Sequence, residues 1–141
     1  MTLIHNECCD FKSHSYKPSS GYQYCRLILV YDIKPDLQYK DRLVCDGSRV
    51  DPKGLPTRAT VVKGLSVRLL DLVADAQSLK VLCGDIGNAF IQAHTKENIF
   101  TRCGAEFGPR ANSIAIIVRA LYGLTTSAER FRTKLADVVN P

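Results

Sequence analysis

The chain has 141 residues, 45% of them hydrophobic, enough for one domain with its own core and no need of stapling by metal or disulfide. Nineteen Lys and Arg against fourteen Asp and Glu leave a formal charge of +5, which permits a polyanionic partner without requiring one. No apolar run nears the roughly 18 residues that cross a bilayer and no signal peptide is recognisable, so a soluble intracellular protein, cytoplasmic or nuclear, with no membrane partner is expected.

The six cysteines, Cys8, Cys9, Cys25, Cys45, Cys83 and Cys103, lack CxxC spacing and are read as reduced. Cys8 and Cys9 with His5 and His14 match no zinc-finger order. Residues 1–21 show no sustained period and close on the linker-like Lys17-Pro18-Ser19-Ser20-Gly21, so a poorly structured extension is expected there. Tyr22–Ile33 then reads as a strand, with Leu27, Leu29 and Tyr31 on one face and Ile28, Val30 and Asp32 on the other. After the Pro35-Asp36 break, Gln38–Cys45 reads as its antiparallel partner.

In that second strand Lys40, Arg42 and Val44 share one face, and Asp41, Leu43 and Cys45 the other. Two neighbouring cations, with Lys34 near the bend, suit a triphosphate or a nucleic-acid backbone. They equally suit a solvated strand kept from edge pairing. Residues 46–60, rich in Gly, Pro and polar side chains, read as an irregular connection carrying Arg49, Lys53 and Arg58.

Ser66–Gln77 has the spacing of an amphipathic helix, capped by Ser66 and burying Leu69, Leu72, Val73 and Ala76. Arg68, Asp71 and Asp75 form another stripe, a surface rather than a site. Val81, Leu82 and Cys83 read as a short interior strand that Gly84 lets the backbone leave, which stands Asp85 at a strand end. Ligands and metals are often met at strand ends of open sheets, and Asp is a hard oxygen ligand of the sort Mg²⁺ takes. The alternative for Asp85 is a turn or cap acid ahead of Gly87.

Ile99–Cys103 and Ser113–Arg119 read as a second hairpin beside that strand, and Leu121–Leu124 as a turn. There Gly123 allows close backbone approach and Tyr122 offers a ring for stacking or for the core. Thr126 and Glu129 have capping-box spacing, and Ala128, Phe131, Leu135 and Val138 give the following helix its apolar stripe. Arg130, Arg132 and Lys134 lie near its other side.

Four segments, in order, carry a resemblance. YKDRLVCDG (39–47), LSVRLLDLVA (65–74), GDIGNAF (84–90) and RALYGLTTSAERF (119–131) resemble the YKARLVxxG fingers strand, the helix before the catalytic strand, the DVxNAF-like segment and the KALYGLKQAPRxW segment of Ty1/copia-type reverse transcriptases. The resemblance runs from about residue 24 to 139. It implies an α+β fold of antiparallel hairpins packed with two or three helices, with fingers over about 22–64 and an incomplete palm over about 65–141. It also implies RNA-directed DNA polymerase activity in the intact parent, with deoxynucleoside triphosphates, Mg²⁺ and an RNA or DNA template-primer as partners.

Residue by residue, the resemblance makes Asp85 the first catalytic aspartate and Mg²⁺ ligand. It makes Lys40 and Arg42 the basic clamp, puts Ile86 beside the nucleotide, sets Phe90 against the sugar, and brings Tyr122 and Gly123 near the templating base. Departures are Asp41 between the two cations, Asp71 in an apolar helix position, Thr60 for a Pro and Thr125 for a Lys. Two-ion chemistry needs further carboxylates, which the family takes from a later YVDD-like hairpin. Between Phe90 and Pro141 the one Asp is Asp137. A fragment or decayed copy that neither holds Mg²⁺ tightly nor catalyses alone is therefore expected, lacking the rest of palm and thumb. The alternative is a non-catalytic nucleic-acid-binding remnant or a product without function.

Overall fold

The computed structural model describes residues 8–140, so His5 lies outside the described residues. Its main sheet is organised by the most apolar strand, β6 (Ile114–Arg119), whose residues Ile114 to Ile117 are all buried. A buried strand needs its backbone N–H and C=O groups paired on both edges, and β6 has such neighbours in β1 (Cys9–Lys12) and β5 (His94–Arg102), both antiparallel. β2 (Gln23–Tyr24) adds to β5 in parallel, giving the order β1-β6-β5-β2. β3 (Leu27–Ile33) and β4 (Tyr39–Cys45) form a separate antiparallel hairpin in which Val30 faces Arg42 and Ile28 faces Val44. Two helices, α1 (Gly64–Ala76) and α2 (Ser127–Val139), complete a small mixed α+β domain.

The core forms where the hairpin base meets the sheet. Cys25, Cys45, Ile99, Ile117, Leu121 and Leu124 are buried together, with Leu27 and Leu43 packed on them. The period of two thus turns Leu27 and Leu43 inward and leaves Lys40 and Arg42 on the opposite face, as the alternation predicts. Among the described residues, no helix is long and apolar enough to cross a membrane.

Several expectations are corrected. Residues 9–12 are a strand, because Cys9 to Lys12 pair with Ile117 to Ile114 and so cover the edge of β6. The expected strand 22–33 is broken at Cys25-Arg26, since Gln23 and Tyr24 join β5 while the residues after Arg26 join β4. Cys25 and Cys45 are joined as a disulfide. The hairpin register brings their Cα atoms to 6.2 Å, within the span a disulfide bridges, a proximity that a sequence separation of 20 does not reveal.

α1 starts before Ser66, because the Lys63 carbonyl accepts from the backbone N–H groups of both Ser66 and Val67. Its apolar stripe is exposed, with Leu69 52% and Leu72 63% accessible. The strand expected at 81–83 does not form: no described strand pairs with it, and Leu82 is 95% exposed. Thr126 is helical in backbone and makes no side-chain cap. Its hydroxyl donates instead to Glu97 Oε2 at 2.7 Å, while Glu129 accepts from Arg132 and Thr133. In α2 the apolar stripe is half-buried only at Ala128 and Phe131; Leu135 and Val138 are exposed.

Candidate functional site

Three segments distant in sequence close around one cleft of about 680 Å³, a volume typical of small-molecule sites. The first wall is β4. Lys40, Arg42 and Val44 project from one face of it, and Arg42 Nη1 lies 3.9 Å from Asp32 Oδ2 on the neighbouring strand. Both partners of that pair are substantially exposed, so the attraction is weak and the guanidinium stays available to a stronger anion.

The second wall is the turn after β6. Cys45 N–H donates to the Tyr122 carbonyl at 2.7 Å, which fixes the turn against the end of β4. Gly123 has φ +92°, and a Cβ there would strike the Cys45 carbonyl oxygen and come within 2.7 Å of Val44 Cγ1. A Cβ on Gly47 would likewise strike the Gly123 carbonyl oxygen. Two glycines facing each other therefore let hairpin and turn approach backbone to backbone.

The third wall is the stretch from Asp85 to Asn88. Asn88 is left-handed (φ 54, ψ 42), a conformation its short amide side chain tolerates, and it directs the chain into a single 3-10 turn at Ala89–Gln92. Ile91 buries beneath that turn and anchors it. Asp85 itself is exposed.

Of the residues singled out from the sequence, Lys40, Arg42, Asp85, Ile86, Tyr122 and Gly123 all line this cleft. Phe90 does not. Its ring is half-buried, 4.7 Å from the Tyr122 ring and 6.3 Å from that of Phe131, where it braces Tyr122. Val30, Asp41, Val44, Gly87 and Asn88 are further lining residues that the sequence reading did not select. Asp41 belongs to the opposite strand face by alternation, yet it also lines the cleft.

The β4 wall carries the Asp41 carboxylate between the cations Lys40 and Arg42, and the 85–88 wall carries the Asp85 carboxylate, so charges of both signs line the cleft. A Mg²⁺ ion is commonly held by one or two carboxylates plus the phosphates of its substrate, and Asp85 fits that minimal role. Among the described residues there is no group of three or more His, Cys, Asp or Glu side chains placed to hold a metal by themselves. A two-ion site is not furnished by these side chains.

A buried polar cluster beside the cleft-forming elements escaped the sequence reading. Glu97 is 7% exposed; its Oε2 accepts from Thr95 at 2.6 Å and Thr126 at 2.7 Å, while Oε1 is buried without a partner. Only the fold joins residues 97 and 126, so no local pattern announces them.

No family model matches the chain, and neither a curated protein nor a solved structure matches it.

Proposed function

We propose that the chain is the fingers and early palm part of a copia-type reverse transcriptase, an RNA-directed DNA polymerase, and that its cleft receives an incoming deoxynucleoside triphosphate. One observation supports this above the others. Lys40 and Arg42, Asp85 and Ile86, and Tyr122 and Gly123 come from three separate segments that the resemblance also marks, and all line one cleft.

The reaction joins the primer 3′-oxygen to the α-phosphorus and releases pyrophosphate. It needs the triphosphate charge neutralised and the reacting groups held in line. Lys40 supplies a mobile point charge and Arg42 a planar fork of donors for phosphate oxygens. The Tyr122 ring, braced by Phe90, offers a face to a base or sugar. Gly123 leaves the backbone open beside it. Asp85 would share one Mg²⁺ with the phosphates, and that ion would supply charge stabilisation. A second ion has no ligand set among the described residues, so this chain alone is expected to bind nucleotide and template-primer without extending a primer.

The test is binding of a fluorescent deoxynucleoside triphosphate with Mg²⁺, measured on the wild type and on Lys40→Ala/Arg42→Ala, together with a template-directed primer-extension assay. Binding that weakens at least about tenfold in the double variant and falls with added salt is expected. Unchanged binding in the double variant removes the proposal. Incorporation above a blank, lost in Asp85→Ala, would overturn the expected inactivity.

A second reading, a nucleic-acid-binding remnant with no chemistry, is favoured by the exposure of Asp85, beside which the described residues include no group of three or more metal-ligating side chains. It requires duplex binding with a steep salt dependence and no response to Mg²⁺ or to Asp85→Ala.

A further inference from the structure

Along α1, Leu65, Leu69, Leu72 and Ala76 recur at spacings of four, three and four, the repeat of a two-helix seam. At about 100° per residue these four fall on one side of the helix. Ala74, its single buried side chain, lies about 140° round from Leu69. Every other residue of α1 is exposed, Val67 and Leu70 on the Ala74 side among them, and along the seam Leu65 is 67%, Leu69 52% and Leu72 63% accessible.

The charges beside that seam are arranged for a particular occupant. Arg68 and Asp75 each immediately precede a seam position, Leu69 and Ala76, on the same flank. Among the described residues, neither has an ion-pair partner within the protomer. A second copy of α1 laid antiparallel, with the two-fold axis between Leu69 and Leu72, sets Leu69 against Leu72 and Leu65 against Ala76. The same register brings Arg68 of each copy opposite Asp75 of the other. In a parallel pair Arg68 would face Val73 instead, and no charge would be matched. Self-complementarity under a two-fold axis is what an isologous dimer requires.

We propose that the outer face of α1 is a homodimerisation surface, joining two copies of this chain through an antiparallel Leu65-Leu69-Leu72 seam with reciprocal Arg68–Asp75 pairs. It stands independently of the nucleotide-binding reading, because none of its residues lines the cleft.

The experiment is sedimentation equilibrium of the full chain carrying Cys83→Ser, which keeps copies from cross-linking through that exposed thiol and leaves the Cys25–Cys45 disulfide intact, from micromolar to submillimolar concentration. This parent chain is expected to show a reversible monomer–dimer equilibrium. Arg68→Glu and Asp75→Lys each set like charges opposite each other twice, and each should weaken association about tenfold. The double variant, with both charges reversed, restores the matched pairs and should return to the parent's association. Circular dichroism on all four proteins confirms that α1 persists. A monomer throughout the range overturns the proposal. So do dimers or larger species indifferent to the single reversals, or single-variant losses that the double variant does not recover.

Discussion

Gly123→Ala probes how hairpin and turn are joined, and its cost can be worked from two separable contributions. At φ +92° a residue bearing a Cβ pays backbone strain on the order of 1–2 kcal/mol. The new methyl also collides with the Cys45 carbonyl oxygen and approaches Val44 Cγ1 to 2.7 Å. Relieving that collision costs about 1–3 kcal/mol as overpacking, and displaces the Cys45 N–H to Tyr122 carbonyl bond for about 1 kcal/mol more. Gly21→Ala is the matched control, since Gly21 has φ +106° but nothing lies within 4 Å of its built Cβ. Thermal and urea unfolding of both variants should separate strain from collision. Gly123→Ala should melt below Gly21→Ala by about 2–4 kcal/mol, a Tm difference of roughly 5–15 °C for a domain of this size. Variants within about 1 kcal/mol of each other would show that the turn does not pack against β4 as described, and the cleft would lose its second wall.

Four further outcomes follow from the same geometry. In native alkylation at neutral pH, exposed Cys83 should label first: burial pushes the Cys9 thiol up to about 12 and raises Cys8 as well, and Cys103 is buried. Comparable rates at Cys9 or Cys103, read by peptide mass mapping, would contradict that burial. Thr126→Val removes a hydroxyl donated to a buried carboxylate whose other oxygen already lacks a partner, and should cost about 1.5–3 kcal/mol in urea unfolding; a loss under about 0.5 kcal/mol would mean that water or another group serves Glu97. The Arg132 guanidinium, bonded to Glu129 at 2.9 Å, holds the Glu129 carboxyl below the usual carboxylate range, with Thr133 assisting. The folded value then lies below the unfolded one, so this pairing stabilises the first turns of α2 above the ordinary carboxylate range and is lost as pH falls through the lowered value; a carbon-detected NMR titration placing Glu129 at or above the ordinary value would remove it. Hydrogen exchange should be near the unprotected rate at residues 80–87, which no described strand pairs, and slowest at buried Ile99 and Ile117. Protection of Leu82 comparable to Ile117 would show a strand after all.

The hairpin and its two faces were legible because alternation over β3 and β4 depends on a local property, the pleat, and one face is buried. Part of the cleft's lining was named from the sequence, since three of the four resembling segments carry Lys40, Asp85 and Tyr122, while Phe90 falls outside it and Val30 was not selected. What was not legible is whatever depends on a neighbour. Cys9–Lys12 looks like loop because its pattern is short, and becomes a strand only because β6 presents an open edge. Val81-Leu82-Cys83 looks like strand because it is apolar, and stays unpaired and exposed because no described strand edge receives it. The Thr126 capping box fails for a related reason: a buried carboxylate 29 residues away competes for the same hydroxyl and wins.

The cleft is consequently built to two standards. Lys40, Arg42 and Gly123 sit on a paired strand and a backbone-to-backbone joint, where register and sterics leave little freedom. Asp85 follows a stretch with no ladder, and its nearest buried anchor is Ile91. A catalytic carboxylate has to be held to about 0.5 Å, whereas binding a triphosphate tolerates far more. On the proposed reading, nucleotide binding by Lys40 and Arg42 should depend less on the order of residues 79–86 than any chemistry at Asp85 would. α1 leads directly into that stretch through the Leu79 N–H to Ala74 carbonyl bond of 2.8 Å. Docking a second copy on the outer face of α1 would stiffen the helix that feeds the Asp85 segment, and would tie the order of the chemical wall to protein concentration.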